Sequence, residues 1–188
     1  MNTDRSDARR HRLTLLDAAS RVFLEHGVTA PLEMVIEMSG LGRATLYRHF
    51  PDRASLVLAL LDESLDRLEA FTARGDPGSP AFLDMIRYLC DVLVSNPALA
   101  DFWRVDRRSP ERIERADRFC AIFERSMLAG IADGTLRPDL RRNDILLMMA
   151  MLGTVVREPD ADARRVMIER MVDLILSGIG QAKDCPER

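Results

Sequence analysis

The sequence predicts an all-α protein in which an N-terminal three-helix helix-turn-helix head precedes a larger helical C-terminal domain. Apolar residues recur at intervals of three and four through most of the 188 residues, which is the period of a helix with one buried face. Good helix formers are plentiful, whereas the 10 Gly and 9 Pro residues lie mostly between the periodic segments. No segment shows a convincing strand-like alternation of apolar and polar residues.

Composition and charge are typical of a soluble globular protein, with 47% apolar and 30% charged residues and a net charge of −3. The three cysteines are far apart and form no CxxC pair, so neither a disulfide framework nor a zinc site is indicated. The N-terminus is polar and Arg-rich, unlike a secretory signal, and the longest uncharged apolar run, residues 145–156, is too short to span a bilayer. We therefore expect a cytoplasmic protein.

Four helices are predicted in the first part of the chain, over about 7–26, 32–38, 43–50 and 52–72. Gly27 ends the first, and Pro31 suits the first turn of the second. The tight turn "SGLG", residues 39–42, separates the two short helices. Pro51 ends the third, and Asp52 is a suitable N-cap for the fourth.

The C-terminal part follows the linker "RGDPGSP", residues 74–80. Five helices are predicted there, over about 80–94, 97–106, 110–132, 142–157 and 160–178. The last two carry apolar residues on more than one face, so something must bury the additional faces. Burial within the monomer and burial against a second copy are both consistent with this pattern.

The third helix, Arg43 to Phe50, contains two Arg, a Tyr and a His and no carboxylate. Two short helices joined by a Gly-bearing turn behind a longer helix describe a helix-turn-helix, whose second short helix enters the DNA major groove. Arg43, at the start of this helix, has the reach for a guanine edge or a phosphate, and Thr45 can contact a thymine methyl or a phosphate. Three further donors are better placed for the backbone: Tyr47, Arg48 and His49. On charge alone, a solvated basic face is the more ordinary interpretation.

The order of the residues is more specific than their charge. The string "GLGRATLYRHFPDRASL", residues 40–56, closely resembles the recognition-helix signature of the TetR (tetracycline-repressor-like) family of bacterial regulators. The resemblance extends upstream through "LLDAASRVFLEHGVTAPLEMVIEMSG" and covers roughly residues 10–60. Leu46, Tyr47, His49 and Phe50 stand where the family usually has Leu-Tyr-x-His-Phe. The resemblance implies core roles for Leu46 and Phe50. It implies DNA contacts from Arg43, Ala44, Thr45, Tyr47, Arg48, His49 and Arg53.

Two positions depart from the family pattern. Val35-Ile36 replaces the usual Ile-Ala pair, which puts a bulky side chain where a small one is common. Gly42 replaces the usual polar N-cap of the recognition helix. We therefore expect this helix to fray more readily when no DNA is bound.

The resemblance also implies a function for the C-terminal domain. Its central helices would surround a cavity for a small amphipathic or hydrophobic effector. Candidate ligand contacts are Tyr88, Phe102, Trp103, Arg104, Phe119 and Phe123, with Asp106 as a further polar candidate. The last two helices would form a four-helix bundle with a second copy, placing two recognition helices about 34 Å or a small multiple apart. Candidate interface residues are Leu147, Met151, Val155, Met167, Met171, Leu174 and Ile175.

The sequence does not favour an enzyme, and no cofactor or metal is expected. All three His lie within the first fifty residues, and the chain has no P-loop, Rossmann fingerprint or GxSxG. We interpret the protein as a homodimeric repressor that binds a pseudo-palindromic operator through Arg43 to Phe50 and is released by an effector. Residues 1–53 would form the DNA-binding domain, and residues 54–188 the regulatory, ligand-binding and dimerisation domain. Three alternatives stay open: an activator, a regulator without a small ligand, and a helical enzyme.

Overall fold

The structure is a computed structural model that describes residues 2–73, 81–95, 110–155, 158 and 160–179. The described residues form eight helices. They are α1 (Asn2–His26), α2 (Leu32–Ser39), α3 (Arg43–His49), α4 (Arg53–Ala73), α5 (Phe82–Ser95), α6 (Pro110–Ala132), α7 (Arg142–Val155) and α8 (Ala161–Ile179). The all-α prediction is confirmed. The predicted bounds agree within a few residues, except that α1 begins five residues earlier. The helix predicted over 97–106 lies outside the described residues.

The breaks between the first helices have local causes in the sequence. Gly27 and Gly40 adopt the left-handed conformation, with φ of 80° and 65°, which glycine tolerates because it has no Cβ. Each closes the preceding helix, since the Gly27 N–H donates to the Phe23 carbonyl and the Gly40 N–H donates to that of Glu37. These two turns set the direction of α2 relative to α1 and the direction of α3 relative to α2.

A reciprocal cap fixes the start of α4. The Ser55 backbone N–H donates to the Asp52 carboxylate at 2.7 Å, and the Asp52 N–H donates to the Ser55 hydroxyl at 3.3 Å. The hydrogen bond from the Ser55 backbone N–H is the main cause that holds the pKa of the Asp52 carboxyl below its ordinary value. The arrangement is that of a capping box, so α4 begins at a defined residue directly after α3.

Two clusters of buried apolar side chains hold the helices together. The head cluster joins α1, α2 and α3 to the first half of α4, and the body cluster joins the second half of α4 to α5, α6, α7 and α8. Leu56 and Leu60 of α4 belong to the head cluster, whereas Leu65 and Leu68 belong to the body cluster. One helix therefore contributes to both cores.

Ion pairs between α4 and α6 add a polar link to the body cluster. Arg115 binds Asp62 through two hydrogen bonds of 2.8 and 2.7 Å, and Arg118 binds Glu69 through two of the same lengths. Arg118 also donates to Asp66. The Arg118 hydrogen bonds hold the pKa of the Glu69 carboxyl below its ordinary value. Such two-bond pairs fix the relative orientation of the groups they join.

None of the eight described helices is both long enough and apolar enough to cross a membrane.

Candidate nucleic-acid interface

One side of helix α3 packs in the head cluster, and the other side is exposed to solvent. Leu46 is fully buried and Phe50 is 2% exposed, and both lie in the head cluster. The opposite side of the helix is in solvent, because positions three and four residues apart share a face. Its exposed residues are Arg43, Ala44, Tyr47 and Arg48, and the half-buried Thr45 and His49 flank them. Four of the six predicted α3 contact residues therefore lie together on the accessible side, and Thr45 and His49 lie at its edge.

The turn before α3 is stabilised by Ser39. Its hydroxyl donates to the Ile36 carbonyl at 3.0 Å and accepts from the Leu41 N–H at 3.3 Å. Ile36 and Leu41 are partly buried against the head cluster. The bulky residue that departs from the family pattern therefore has apolar surroundings within the head.

Gly42 is the N-cap of α3 and provides no side-chain hydrogen bond. Its carbonyl accepts from the Thr45 and Leu46 N–H groups, at 2.9 and 3.2 Å. The first turn of α3 consequently lacks the side-chain acceptor that Ser, Thr, Asp or Asn would supply. This agrees with the sequence expectation of an uncapped recognition helix.

Arg43 has two contacts within the head. Its guanidinium lies 3.1 Å from the Glu33 carboxylate on α2 and 5.6 Å from the centre of the Tyr47 ring. The Arg43 and Glu33 side chains are 67% and 54% exposed. Pairs this exposed contribute about 0–1 kcal/mol, so Arg43 can exchange Glu33 for a nucleic-acid acceptor at small cost.

His49 lies at the end of α3, beside two residues of α1. Partial burial lowers its pKa, and Arg48, His11 and Arg12 lower it further. The Arg12 guanidinium lies 4.9 Å from the centre of the neighbouring Phe50 ring. The sequence interpretation did not include His11 and Arg12 as site residues, although the basic run "RRHR", residues 9–12, is visible in the sequence.

Arg53, predicted to contact a phosphate, is engaged inside the head. It donates a 2.7 Å hydrogen bond to the Val28 carbonyl, and its guanidinium lies 5.8 Å from the centre of the Phe23 ring. In this arrangement it ties the start of α4 to the loop between α1 and α2. A phosphate contact from Arg53 would therefore use its remaining N–H groups.

The candidate ligand residues are only partly within the described chain. Tyr88 is half-buried and stacks on Phe71, with ring centres 4.2 Å apart. Phe119 and Phe123 are buried in the body cluster, with ring centres 4.9 Å apart. The other predicted ligand contacts, Phe102, Trp103 and Arg104, lie outside the described residues, as does Asp106.

Among the described residues, one groove of about 530 Å³ lies between α5 and α8. Arg87, Cys90, Arg165 and Ile168 are among its lining residues. Burial raises the pKa of the Cys90 thiol to about 12. The thiol is therefore protonated at neutral pH, and a protonated thiol is a poor nucleophile for redox sensing.

Helices α7 and α8 leave large apolar side chains in solvent. Of the predicted interface residues, Leu147, Met151, Met167 and Leu174 are exposed by 59, 41, 46 and 53%. Met171 is half-buried, Ile175 is buried, and the Val155 side chain is outside the described part. Leu147, Met151 and Leu174 line one shared groove of about 400 Å³. Arg137, Asp139 and Asp144 line the same groove, so charged side chains border the apolar ones. Exposed apolar side chains that lie together, with polar residues around them, are typical of an interaction site.

The described residues contain no group of three or more His, Cys, Asp and Glu side chains placed to hold a metal ion.

Known proteins share both the head sequence and the overall fold. Residues 15–60 match the family described as "Bacterial regulatory proteins, tetR family". An HTH-type transcriptional regulator of Mycobacterium tuberculosis is 29% identical over 96% of this chain and 95% of its own length. The HTH-type transcriptional repressor LfrR of Mycolicibacterium smegmatis is 39% identical over 37% of this chain and 36% of its own.

Solved structures of regulators agree with these sequence matches. The TetR transcriptional regulator SCO0520 from Streptomyces coelicolor has a TM-score of 0.64 at 29% identity, covering 91% of this chain and 99% of its own. A TetR transcription regulatory protein from Mycobacterium vanbaalenii has a TM-score of 0.63 at 22% identity, covering 94% and 98%. The similarity to the Mycobacterium vanbaalenii protein, at 22% identity, supports the fold alone.

Gly40 and Gly42 offer a matched pair of substitutions before α3. An added Cβ meets no heavy atom within 4 Å at either position, but φ is 65° at Gly40 and −71° at Gly42. We predict that Gly42→Ser raises the free energy of unfolding by a few tenths of a kcal/mol, because its hydroxyl can cap α3. Gly40→Ser should lower it by about 1 kcal/mol through left-handed strain. Urea denaturation followed by circular dichroism measures both, and equal effects of the two substitutions would contradict this account.

Proposed function

We propose that this chain, which belongs to the TetR family of bacterial transcriptional regulators, is a repressor that binds a pseudo-palindromic operator as a homodimer and is released by a small effector. The observation that carries the proposal is the arrangement of α3. Its apolar residues are buried in the head cluster, while its acid-free basic side is accessible. Since bacterial operators lie in the cytoplasm, the proposal places the protein there.

The accessible side of α3 suits both base and phosphate contacts. Arg43 can form two hydrogen bonds with the O6 and N7 atoms of guanine. Ala44 and Thr45 have methyl groups that suit the thymine methyl. Tyr47 and Arg48 lie on the same side and have the donors that phosphate oxygens accept. We assign sequence reading to the start of the helix and backbone contacts to its end.

We propose that a second copy of this chain covers the exposed apolar side chains of α7 and α8. A two-fold dimer pairs the same patch on both subunits, and it presents two copies of α3 to half-sites of inverted orientation. We propose residues 1–53 as the DNA-binding domain and residues 54–188 as the regulatory and dimerisation domain. All of α4 after Arg53 lies in the second domain, but the helix packs in both clusters.

The proposed effector acts through α4. An effector shifts a conformational equilibrium only by binding one conformation more tightly than the other. A shift of α6 in the body would reach α4 through the Arg115–Asp62 and Arg118–Glu69 pairs. It would then reach the head through Leu56 and Leu60. We propose an amphipathic or hydrophobic small molecule, contacted by Tyr88 and the predicted residues 102–104.

We predict that Arg43→Ala combined with Tyr47→Ala weakens operator binding at least about 100-fold, because each contact of this kind contributes about 1–3 kcal/mol. Binding to a DNA site selected in vitro is measured by fluorescence anisotropy. Helix content and dimer mass should not change, since both side chains are exposed.

Arg67→Ala is the matched control for this variant. Arg67 is also an exposed Arg paired with a Glu, but it lies on the body half of α4. Its substitution should leave binding unchanged. Wild-type affinity in the Arg43/Tyr47 variant would contradict the assignment of α3 as the recognition helix.

Dimerisation predicts that Leu147→Glu combined with Leu174→Glu yields monomers, because the charges would be buried unpaired against the second copy. Sedimentation velocity measures the mass, and operator affinity should fall with it. Leu128→Glu on α6 is the control, since Leu128 is 57% exposed and outside the proposed interface. A dimer that survives the double substitution would contradict the proposed interface.

The proposed release by an effector predicts two linked responses to one compound. In a thermal-shift screen of amphipathic and hydrophobic molecules, a true effector raises the melting temperature, because binding at 100 times Kd adds about 2.7 kcal/mol of stability. The same compound should weaken operator binding, and Tyr88→Ala should diminish both responses. A compound that stabilises the protein without changing operator affinity would argue against effector release.

A further inference from the structure

A group of basic side chains lies where α1 passes the end of α3. His11 and Arg12 of α1 are close enough to His49 of α3 to lower its pKa electrostatically, as is Arg48. The Phe50 ring lies beside this group. Its centre is 4.9 Å from the Arg12 guanidinium and 6.4 Å from the centre of the His49 ring. The four basic residues are called the α1/α3 cluster below.

The charged groups that act on His49 are all basic: Arg48 on its own helix, and His11 and Arg12 on α1. Three carboxylates of the head bind other groups. On α1, Asp7 pairs with Arg10 at 3.0 Å.

Between α3 and α4, the Asp52 carboxylate accepts the Ser55 N–H that caps α4. On α2, Glu33 pairs with Arg43 at 3.1 Å. Like charges close together raise the free energy of the free protein, and an anion bound among them lowers it.

His49 also has an unused hydrogen-bonding atom. Its Nε2 is buried and has no hydrogen-bond partner among the described residues. An unsatisfied buried polar atom is unfavourable and is rare in native proteins. The ring as a whole is half-buried. A rotation of the imidazole would therefore bring this atom toward a ligand at the surface.

We infer that the α1/α3 cluster is a binding site for one backbone phosphodiester of DNA, and that His49 takes up a proton when the phosphate binds. The inference rests on the proposed function and extends it, because α1 then contacts DNA together with α3. A phosphodiester carries one negative charge and two free oxygens. The guanidinium groups of Arg12 and Arg48 and the imidazolium of His49 can donate to these oxygens.

The proton comes from solvent and binds one imidazole nitrogen, so that both ring nitrogens become donors. No covalent bond forms or breaks. In the free protein, partial burial and the three basic neighbours hold the pKa of His49 below its ordinary value of 6.5. The negative charge of a bound phosphate, together with its hydrogen bonds to the imidazolium, favours the protonated form and raises that pKa in the complex.

Operator affinity depends on pH because the pKa of His49 is higher in the complex than in the free protein. Because the complex binds the proton more tightly than the free protein, operator affinity increases as the pH falls through the pKa of His49 in the complex. The increase ends once the pH is below the pKa of His49 in the free protein. The dependence is at most about tenfold per pH unit for each site. Above both pKa values, His49 is neutral in the free protein and in the complex, so it causes no change of affinity with pH.

The experiment measures operator affinity of the full-length chain by fluorescence anisotropy between pH 8.5 and 5.5, about the range in which imidazole titrates, at constant ionic strength. We expect wild-type affinity to rise several-fold across this range. His49→Gln should retain specific binding but lose most of the rise, because an amide can donate without titrating. His26→Gln, which changes an exposed His at the other end of α1, should behave as wild type.

The part played by α1 is tested separately by salt dependence. Arg12→Gln should weaken binding about three- to tenfold and reduce the salt slope by about two, since the dimer loses one phosphate contact in each half-site and each contact releases about one counterion. Arg21→Gln is the matched control, because Arg21 is an exposed α1 arginine paired with Asp17. Arg12 is exposed as well, so this variant tests the site even where His49→Gln alters the stability of the head.

Two results would overturn the inference. One is wild-type affinity that does not change with pH, or that changes equally in His49→Gln. The other is wild-type affinity and salt slope in Arg12→Gln. In both cases specific operator binding persists, so the proposed function stands. Absence of specific binding at every pH would instead overturn the proposed function and this site together.

Discussion

The structure depends most on the shared packing of α4. This helix runs from Arg53 to Ala73, and its two halves are buried in different clusters. Because a helix of this length is stiff, the head and the body cannot shift independently unless one cluster loses contacts. The cap at its start and the ion pairs to α6 fix its position relative to both. The proposed effector signal would therefore pass from the body to α3 through this helix.

The dependence of α3 on its surroundings follows from its length. A helix of seven residues is unstable alone, because helix nucleation is unfavourable and few hydrogen bonds form. With Gly42 at its N-cap, α3 also lacks a side-chain cap. It persists because Leu46 and Phe50 are buried in the head cluster, where α3 packs against α1 and α2. The same burial turns its basic residues toward solvent, so stability of the head and presentation of the contact surface share one cause.

Much of the fold could be predicted from the sequence, because helix periods, glycine stops and prolines are local signals. The start of α1 was missed, since residues 2–6 carry no apolar period. The family resemblance indicated the residues of α3 and their order. Residues 15–60, which include α3, match the tetR family, and this match supports the resemblance. The DNA contacts of the individual α3 residues stay predictions.

The side-chain environment of the candidate site could not be predicted, since it depends on how helices cross. The sequence does not show that Arg53 turns to the Val28 carbonyl, 25 residues away, or that Arg12 reaches the ring of Phe50. Nor does periodicity show which apolar residues of the last helices are buried in the monomer. Ile175 is buried there, whereas its neighbour Leu174 is 53% exposed.

In-vitro selection of double-stranded DNA by the full-length chain tests the central claim most directly. The account predicts enrichment of an inverted repeat whose half-sites lie one helical turn, about 10 base pairs, or a small multiple apart, because two copies of α3 must face successive grooves. Protection from hydroxyl radicals should fall on both half-sites with the same symmetry. Selection that enriches no sequence, or that enriches a single asymmetric site bound by a monomer, would contradict it.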